Sequence, residues 1–310
     1  MSTVWPVLPG PVAVVAFDAG GAELLSSLLL RWPAPLRDQA LLVLDGPARA
    51  VFARKLGDRP SLPLDQAIKQ AGSVLAGTGW QSTLEFDALV LAQQRGLHSV
   101  AFLDHWVHYR ERFMRAGVCQ LPDELWVGDD DALALAQRLL PECPARQVGN
   151  PYVSEVVAQL ASYQTTLPAR VAGQGVRVLF VCEPIREPAL RTHGNERHWG
   201  YTEEEALAFA LHVLPRLGQV IESVVVRPHP SEAPNKYDAQ LLGASMPVHR
   251  GGKLTLLEEV AHSDWVVGCN SMAMVIGLAG GKKVWCANPP GGAACLLPQA
   301  QITMLRDVVF

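Results

Sequence analysis

Three short stretches of the 310-residue chain combine residue types that handle phosphate and protons. The first is Arg227-Pro228-His229-Pro230, directly after the β-branched run Val224-Val225-Val226. The run reads as a buried strand, and the two prolines forbid a helix after it, so an Arg and a His are held in an extended turn at a strand's carboxyl end. His229 can donate a hydrogen bond to a phosphate oxygen and, when protonated, offset negative charge on a departing group. The second is Asn270-Ser271-Met272, between an apolar strand and an apolar helix. A Ser there either caps the helix or joins the free N–H groups of the helix start in binding phosphate. The third is Asp18-Ala19-Gly20-Gly21, after the apolar residues 12–17. Its carboxylate suits either a helix cap or a general base acting on a hydroxyl. G-x-G-x-x-G is absent, which argues against a dinucleotide fingerprint.

Other strand-to-helix turns carry weaker signals. Gly77-Thr78-Gly79-Trp80-Gln81-Ser82-Thr83 offers small and hydrogen-bonding groups, with Ser82 or Thr83 also able to cap the helix that follows. Asp104-His105-Trp106 follows the strand at 98–103. No G-x-S-x-G elbow accompanies that Asp-His pair, so a hydrolase dyad is not read from it. Glu183-Pro184 ends the strand at 176–182, and His193 and His198 lie in the polar stretch 185–201, read as a loop that closes over ligand. Those histidines lack a repeated ligand spacing, and no metal is expected.

The elements that must position these residues alternate strand and helix throughout. Strands are read at 12–17, 41–44, 73–76, 98–103, 125–128 and 146–148, with helices at 22–30, 48–56, 64–70, 84–95 and 132–140. The segment 152–175 reads as a helix and a looser polar linker. The alternation then resumes, with strands at 176–182, 224–226, 264–268 and 282–287 and helices at 202–217, 254–261 and 273–279. Thr202 followed by Glu205 has the spacing of a capping box. The reading is α/β, with two Rossmann-like doubly wound parallel sheets: a domain over 1–151, a linker over 152–175 and a domain over 176–310. A ligand is expected in the cleft between two such halves.

Composition narrows the function classes. The chain is 49% hydrophobic and 18% charged, with a net charge of −4, so it is globular and carries no basic field for nucleic acid. No apolar run approaches the ~20 residues that span a bilayer. Residues 1–10 lack a basic segment before an apolar one, so no signal peptide is expected. The six cysteines form no C-x-x-C pair and read as buried free thiols in a reducing cytosol.

Taken together, these residues resemble the two-domain glycosyltransferase architecture called GT-B, over most of the chain in element order and only in short motifs in detail. Arg227-Pro228-His229-Pro230 looks like the His-Pro motif of bacterial sialyltransferases and Kdo transferases, which use CMP-activated sugars. Asn270-Ser271 is similar to their Ser-containing phosphate site. The stretch 18–150 also looks like a protein type seen with bacterial nonulosonic-acid pathways. The resemblance implies a CMP pocket formed by Arg227, His229, Pro230, Glu183, Asn270, Ser271 and Met272. The acidic motif that supplies the base in those families has no clean copy here; Asp18 is the nearest substitute in position and chemistry.

The expectation is therefore an inverting, metal-independent glycosyltransferase. It would move a nonulosonic acid or Kdo from a CMP-sugar, a co-substrate and not a cofactor, to a glycan or protein hydroxyl. Asp18 would be the base and His229 would stabilise departing CMP, while Gly20, Gly21, Thr78, Trp80, Gln81, Asp104 and His105 would hold the acceptor. The expected location is the cytoplasm, the inner face of the membrane included. The alternatives are a UDP-sugar 2-epimerase or hydrolase, a CDP-polyol phosphotransferase, and a sugar-nucleotide-binding module without turnover.

Overall fold

The structure, a computed structural model, describes residues 5–79, 81–166, 173–233 and 235–308. The chain divides into two compact units, Met1–Glu155 and Val156–Phe310. The helix Pro151–Thr166 begins in the first and ends in the second.

The first unit is built on β1 (Val12–Ala16), β2 (Leu41–Leu44), β3 (Ser73–Ala76), β4 (His98–Phe102), a hairpin of β5 (Met114–Arg115) and β6 (Val118–Cys119), then β7 (Glu124–Val127) and β8 (Ala145–Gln147). Six of these strands form one parallel sheet in the order β2-β1-β3-β4-β7-β8. The strands VAVVA, SVLA and HSVAF are apolar almost throughout because helices cover both faces of a parallel sheet. One face buries Val12, Val14, Leu24, Leu28, Phe102 and Trp126 together.

The second unit repeats the plan with β9 (Val176–Val181), β10 (Ile221–Arg227), β11 (Val248–Arg250), β12 (Trp265–Gly268), β13 (Lys283–Cys286) and β14 (Thr303–Met304). Their order is β11-β10-β9-β12-β13-β14, all parallel. One sheet face packs Val178, Phe180, Val224, Val226, Val267 and Trp285 against Leu207 and Leu211. Both sheets are doubly wound, the GT-B type of unit. In each, the strand order reverses once, between β1 and β3 and between β9 and β12. Open α/β sheets bind ligands outside the strand carboxyl ends at such reversal points.

Most elements expected from the sequence are present, and the capping box of Thr202 and Glu205 is formed. One element is corrected. The stretch 185–201, expected as a loop, contains the helix Arg186–His193, ended by Gly194 in the left-handed region at φ 68°. Its first N–H groups are satisfied from a distance: one Glu203 oxygen accepts from Arg186 N at 2.8 Å and Ile185 N at 3.3 Å. A cap supplied by another helix leaves no local signature.

Candidate functional site

In the second unit the crevice lies between the β9 and β12 carboxyl ends. The strands run out into Cys182-Glu183-Pro184 and Cys269-Asn270-Ser271, and the Glu183 carboxylate accepts the Asn270 N–H at 2.9 Å across the reversal. Asn270 in turn accepts the Leu296 N–H at 2.7 Å, fixing the loop after β13. Together Glu183, Pro184, Ile185, Trp199, Tyr201, Asn270 and the 293–296 loop line a cavity of about 200 Å³. The Tyr201 hydroxyl donates to Asn288 at 3.0 Å, which fixes the ring against that wall. Burial pushes the Glu183 carboxyl up to about 7, against the lowering effect of the Asn270 hydrogen bond. Ser271 caps the helix Met272–Ala279, accepting the Ala273 N–H at 3.2 Å, and Met272 is that helix's first residue. The crevice thus offers a helix start, aromatic walls and a carboxyl that titrates near neutrality.

The Arg-Pro-His-Pro turn leaves β10 beside this crevice, but its residues separate. Arg227 points away from the face that buries Val224 and Val226. It is bonded to Glu259 at 2.7 Å and to the Leu254 carbonyl at 2.9 Å. Glu259 is nearly buried, so the arginine is committed to neutralising it. The structure therefore does not bring Arg227 together with Glu183 and Asn270. His229 and Pro230 are exposed. Glu232 shapes the turn by accepting the His229 N–H at 2.8 Å, and it is held in turn by Lys236 at 2.9 Å and the Tyr237 hydroxyl at 2.7 Å. Lys236 also pairs with Glu203, so one lysine ties the turn after β10 to the cap of the helix after β9. The His229 ring meets the Ser231 hydroxyl through Nδ1 at 2.8 Å.

The first unit's crevice, between β1 and β3, gathers carboxylates against glycines. Asp18 stands at the N-cap of the helix Ala19–Arg31 without making a side-chain cap hydrogen bond, so the capping alternative for its side chain is not realised. A Cβ at Gly79 would lie 2.7 Å from the Asp18 Oδ2 and 2.9 Å from the Glu85 Oε1. A Cβ at Gly20 would lie 2.3 Å from the Asp104 Oδ2. These two glycines are required by the carboxylates packed on them. Gly21 meets Gly77 backbone to backbone, a Cβ there falling 3.5 Å from the Gly77 Cα.

Glu85 is the residue that sequence reading missed. It sits in the first turn of the helix Leu84–Gln94, is 3% exposed, and accepts the Phe17 N–H at 2.7 Å through Oε1, from helix to β1. Its Oε2 is buried without a hydrogen-bond partner. Burial pushes its carboxyl up to about 7, with the negative charge of Asp18 adding to the rise. A glutamate two residues after a Ser-Thr pair reads in sequence as ordinary first-turn acidity, and only the tertiary fold buries it.

Several expected acceptor ligands are hydrogen-bonded into the scaffold. Arg112 donates from one nitrogen to the Asp104 carboxylate at 2.8 Å and to the Thr78 carbonyl and hydroxyl at 3.0 Å each. Thr78 also donates to Asp104 at 3.2 Å, so its hydroxyl is used on both sides. Arg115 closes the 79–82 loop by binding the Gly79 and Ser82 carbonyls, both at 2.8 Å. His105 accepts the Trp106 N–H at Nδ1, 3.0 Å, which leaves the proton on Nε2. Burial lowers its pKa, outweighing the neighbouring Asp104 charge, so the ring is neutral at pH 7. Gln81 is exposed, and Trp80 lies outside the described residues.

No protein-family model matches the chain, and no curated protein matches it in sequence. Solved structures do share its fold. UDP-GlcNAc 2-epimerase from Neisseria meningitidis, bound to UDP-GlcNAc, superposes with a TM-score of 0.58 at 12% identity, covering 96% of this chain and 89% of its own. UDP-GlcNAc 2-epimerase from Methanocaldococcus jannaschii superposes with a TM-score of 0.55 at 10% identity, covering 89% of this chain and 83% of its own. At these identities the likeness is one of fold.

Proposed function

We propose that the chain is a sugar-nucleotide enzyme: an inverting, metal-independent glycosyltransferase that takes a CMP-linked nonulosonic acid or Kdo as donor. The observation that carries the donor side is the cavity at the second reversal point, where Glu183, with a pKa of about 7, stands among Trp199, Tyr201 and Leu296. Aromatic and apolar walls suit a nucleobase, whose faces stack on such groups. A protonated carboxyl pairs a donor and an acceptor with the edge of cytosine, which presents N3 as acceptor beside the N4 amino donor. The ionised carboxylate only accepts, so it loses the N3 contact of cytosine. The helix start at Ser271 and the Nε2 of His229 are assigned to the phosphate.

In transfer, the acceptor hydroxyl gives its proton to Asp18 while its oxygen bonds the anomeric carbon, and the bond from that carbon to the phosphate oxygen breaks to release CMP. Glu85, buried behind Asp18, is a positioning group that acts through its charge. Inversion follows from the single displacement.

Calorimetry with CMP and UDP at pH 6 and pH 8 tests the donor assignment. Ionisation of Glu183 across that interval weakens CMP binding by about tenfold, one unit beyond a pKa of about 7. Glu183→Gln removes this tenfold component, leaving the part set by the phosphate. Binding of UDP without binding of CMP refutes the cytidine reading.

A second reading, a UDP-sugar 2-epimerase, is favoured by the fold shared with the two epimerases over 89–96% of this chain. Incubation with UDP-GlcNAc and no acceptor separates the two: an epimerase forms the C2 epimer, and a transferase leaves the sugar unchanged.

A further inference from the structure

Three cysteines of the second unit converge beside the cavity. Cys286, the last residue of β13, is fully buried and donates its S–H to the Cys269 carbonyl at 3.2 Å. Cys295, in the loop that walls the cavity, is partly exposed and reaches the same carbonyl oxygen at 3.5 Å. Two thiols on one oxygen are close neighbours. Eight residues separate them, and the intervening loop is pinned by Asn288 donating to the Ala293 carbonyl at 3.0 Å and by Arg306 donating to the Gly292 carbonyl at 2.8 Å. Only one of the pair is open to solvent, the arrangement of an attacking thiol with a resolving partner behind it.

We propose that Cys295 and Cys286 form a redox-active dithiol, with Cys295 the modification site for hydroperoxides and Cys286 the resolving thiol. The electrostatics agree. The neighbouring Cys286 thiol, the Leu297 N–H and the Arg306 charge bring the Cys295 thiol down to about 7 against the opposing effect of burial. Cys269, Glu183, Tyr201 and Cys182 are also ionisable groups around the cluster, and burial pushes each of them up. The Cys295 thiolate attacks one oxygen of hydrogen peroxide, the O–O bond breaks, hydroxide leaves, and the sulfur becomes a sulfenic acid. The Cys286 thiol then attacks that sulfur; the S–S bond forms and water leaves. Two thiols are oxidised to a disulfide and one peroxide is reduced to two waters. A dithiol reductant reverses the step. The loop that would be tied to β13 carries Ala293, Ala294 and Leu296 of the cavity wall, so the link to ligand binding rests on the donor-site reading, whereas the dithiol itself does not.

The test therefore uses no nucleotide. Cys119→Ser first removes the exposed thiol outside this cluster. The full-length protein is treated with hydrogen peroxide, and peptides are mapped without reduction. The expected product is a Cys286–Cys295 cross-link. In Cys286→Ser the cross-link is lost and a dimedone adduct accumulates on Cys295. In untreated protein, the alkylation rate of Cys295 has its midpoint near pH 7 and falls about tenfold at pH 7 in Cys286→Ala, as an ordinary thiol pKa returns. A first adduct on any other cysteine, or no cross-link while Cys295 is oxidised to sulfinic acid, overturns the proposal. Circular dichroism of each variant separates loss of the pair from loss of the fold.

Discussion

Replacing Glu85 by Gln should make the first unit respond to pH in a way that reports the buried carboxyl directly. Folding raises its pKa from 4.5 to about 7. The folded state therefore holds this proton more tightly than the unfolded chain. Below about pH 4.5 both states are protonated and the group costs nothing. Between pH 4.5 and 7 the unfolded chain ionises while the folded state keeps its proton, so the penalty grows across that window and is at its full value, about 3 kcal/mol from a shift of this size, by pH 8. Gln keeps an oxygen for the Phe17 N–H but places an amide where Oε2 has no partner. That amide costs about 1–3 kcal/mol at every pH. The absolute stability of the variant thus balances two opposed effects, while the change in its stability relative to wild type between pH 4.5 and pH 8 isolates the ionisation, about 3 kcal/mol in the variant's favour at the alkaline end. Amide hydrogen exchange of β1 and β3 measures the first unit alone. If wild type and Glu85→Gln keep the same stability difference at both pH values, the carboxyl does not carry this penalty and the account of the crevice fails. The same variant should also move the pH profile of turnover, since Gln removes a titrating charge beside Asp18.

Gly79→Ala places a methyl 2.7 Å from Asp18 and 2.9 Å from Glu85, and should destabilise the first unit by about 1–3 kcal/mol in denaturant unfolding. Arg227→Ala leaves the Glu259 carboxylate, 6% exposed, without its cation and should cost about 3–5 kcal/mol of stability, with CMP affinity unchanged in calorimetry wherever the protein is still folded. Ser271→Ala and Thr255→Ala each remove a helix cap and should each cost about 1 kcal/mol, but only the former, beside the cavity, should weaken CMP binding. Glu203→Gln should increase amide exchange at the start of the helix Arg186–His193, whose first N–H groups it caps.

Architecture was legible because it is written in periodicity. Apolar runs such as 12–16 and 265–268, each followed by a turn and an apolar helix, carry their own signal of a parallel sheet covered on both faces. The strands that escaped notice are β11 and β14, three and two residues long at the edges of their sheet, and the two-residue hairpin strands β5 and β6, all too short for burial to enforce a pattern. The candidate crevices were half legible. Their turns stand out by Gly, Ser and Asp content, which is why Asp18, Glu183 and Ser271 could be placed at strand ends. What each side chain does there depends on partners far away in the chain. Arg227 next to a His-Pro turn looks like a phosphate ligand until Glu259, 32 residues on, takes it. Asp104 and Thr78 look like ligands until Arg112 binds both. Glu85 looks like surface charge until Phe17, 68 residues earlier, is seen to bond it.

The two units share more than a strand order. At each reversal point a glutamate oxygen accepts a backbone N–H from across the crevice: Glu85 from Phe17 at the end of β1, Glu183 from Asn270 at the end of β12. Both carboxyls are raised to about 7 by burial. The crevice of a doubly wound sheet exposes unpaired N–H groups where the strands diverge, and a carboxyl is the acceptor that can satisfy one and still present a second oxygen. A carboxyl in so dry a place costs stability at neutral pH, and a purely structural acceptor would serve as well as a neutral amide. Retaining the acid in both crevices makes sense if its proton is used: in the second unit to match the edge of a base, in the first to set the charge that faces Asp18. Glu85→Gln and Glu183→Gln together discriminate the two accounts. If both variants gain stability at pH 8 and lose binding or turnover, the acids are there for chemistry; if both gain stability and lose neither, they are acceptors only.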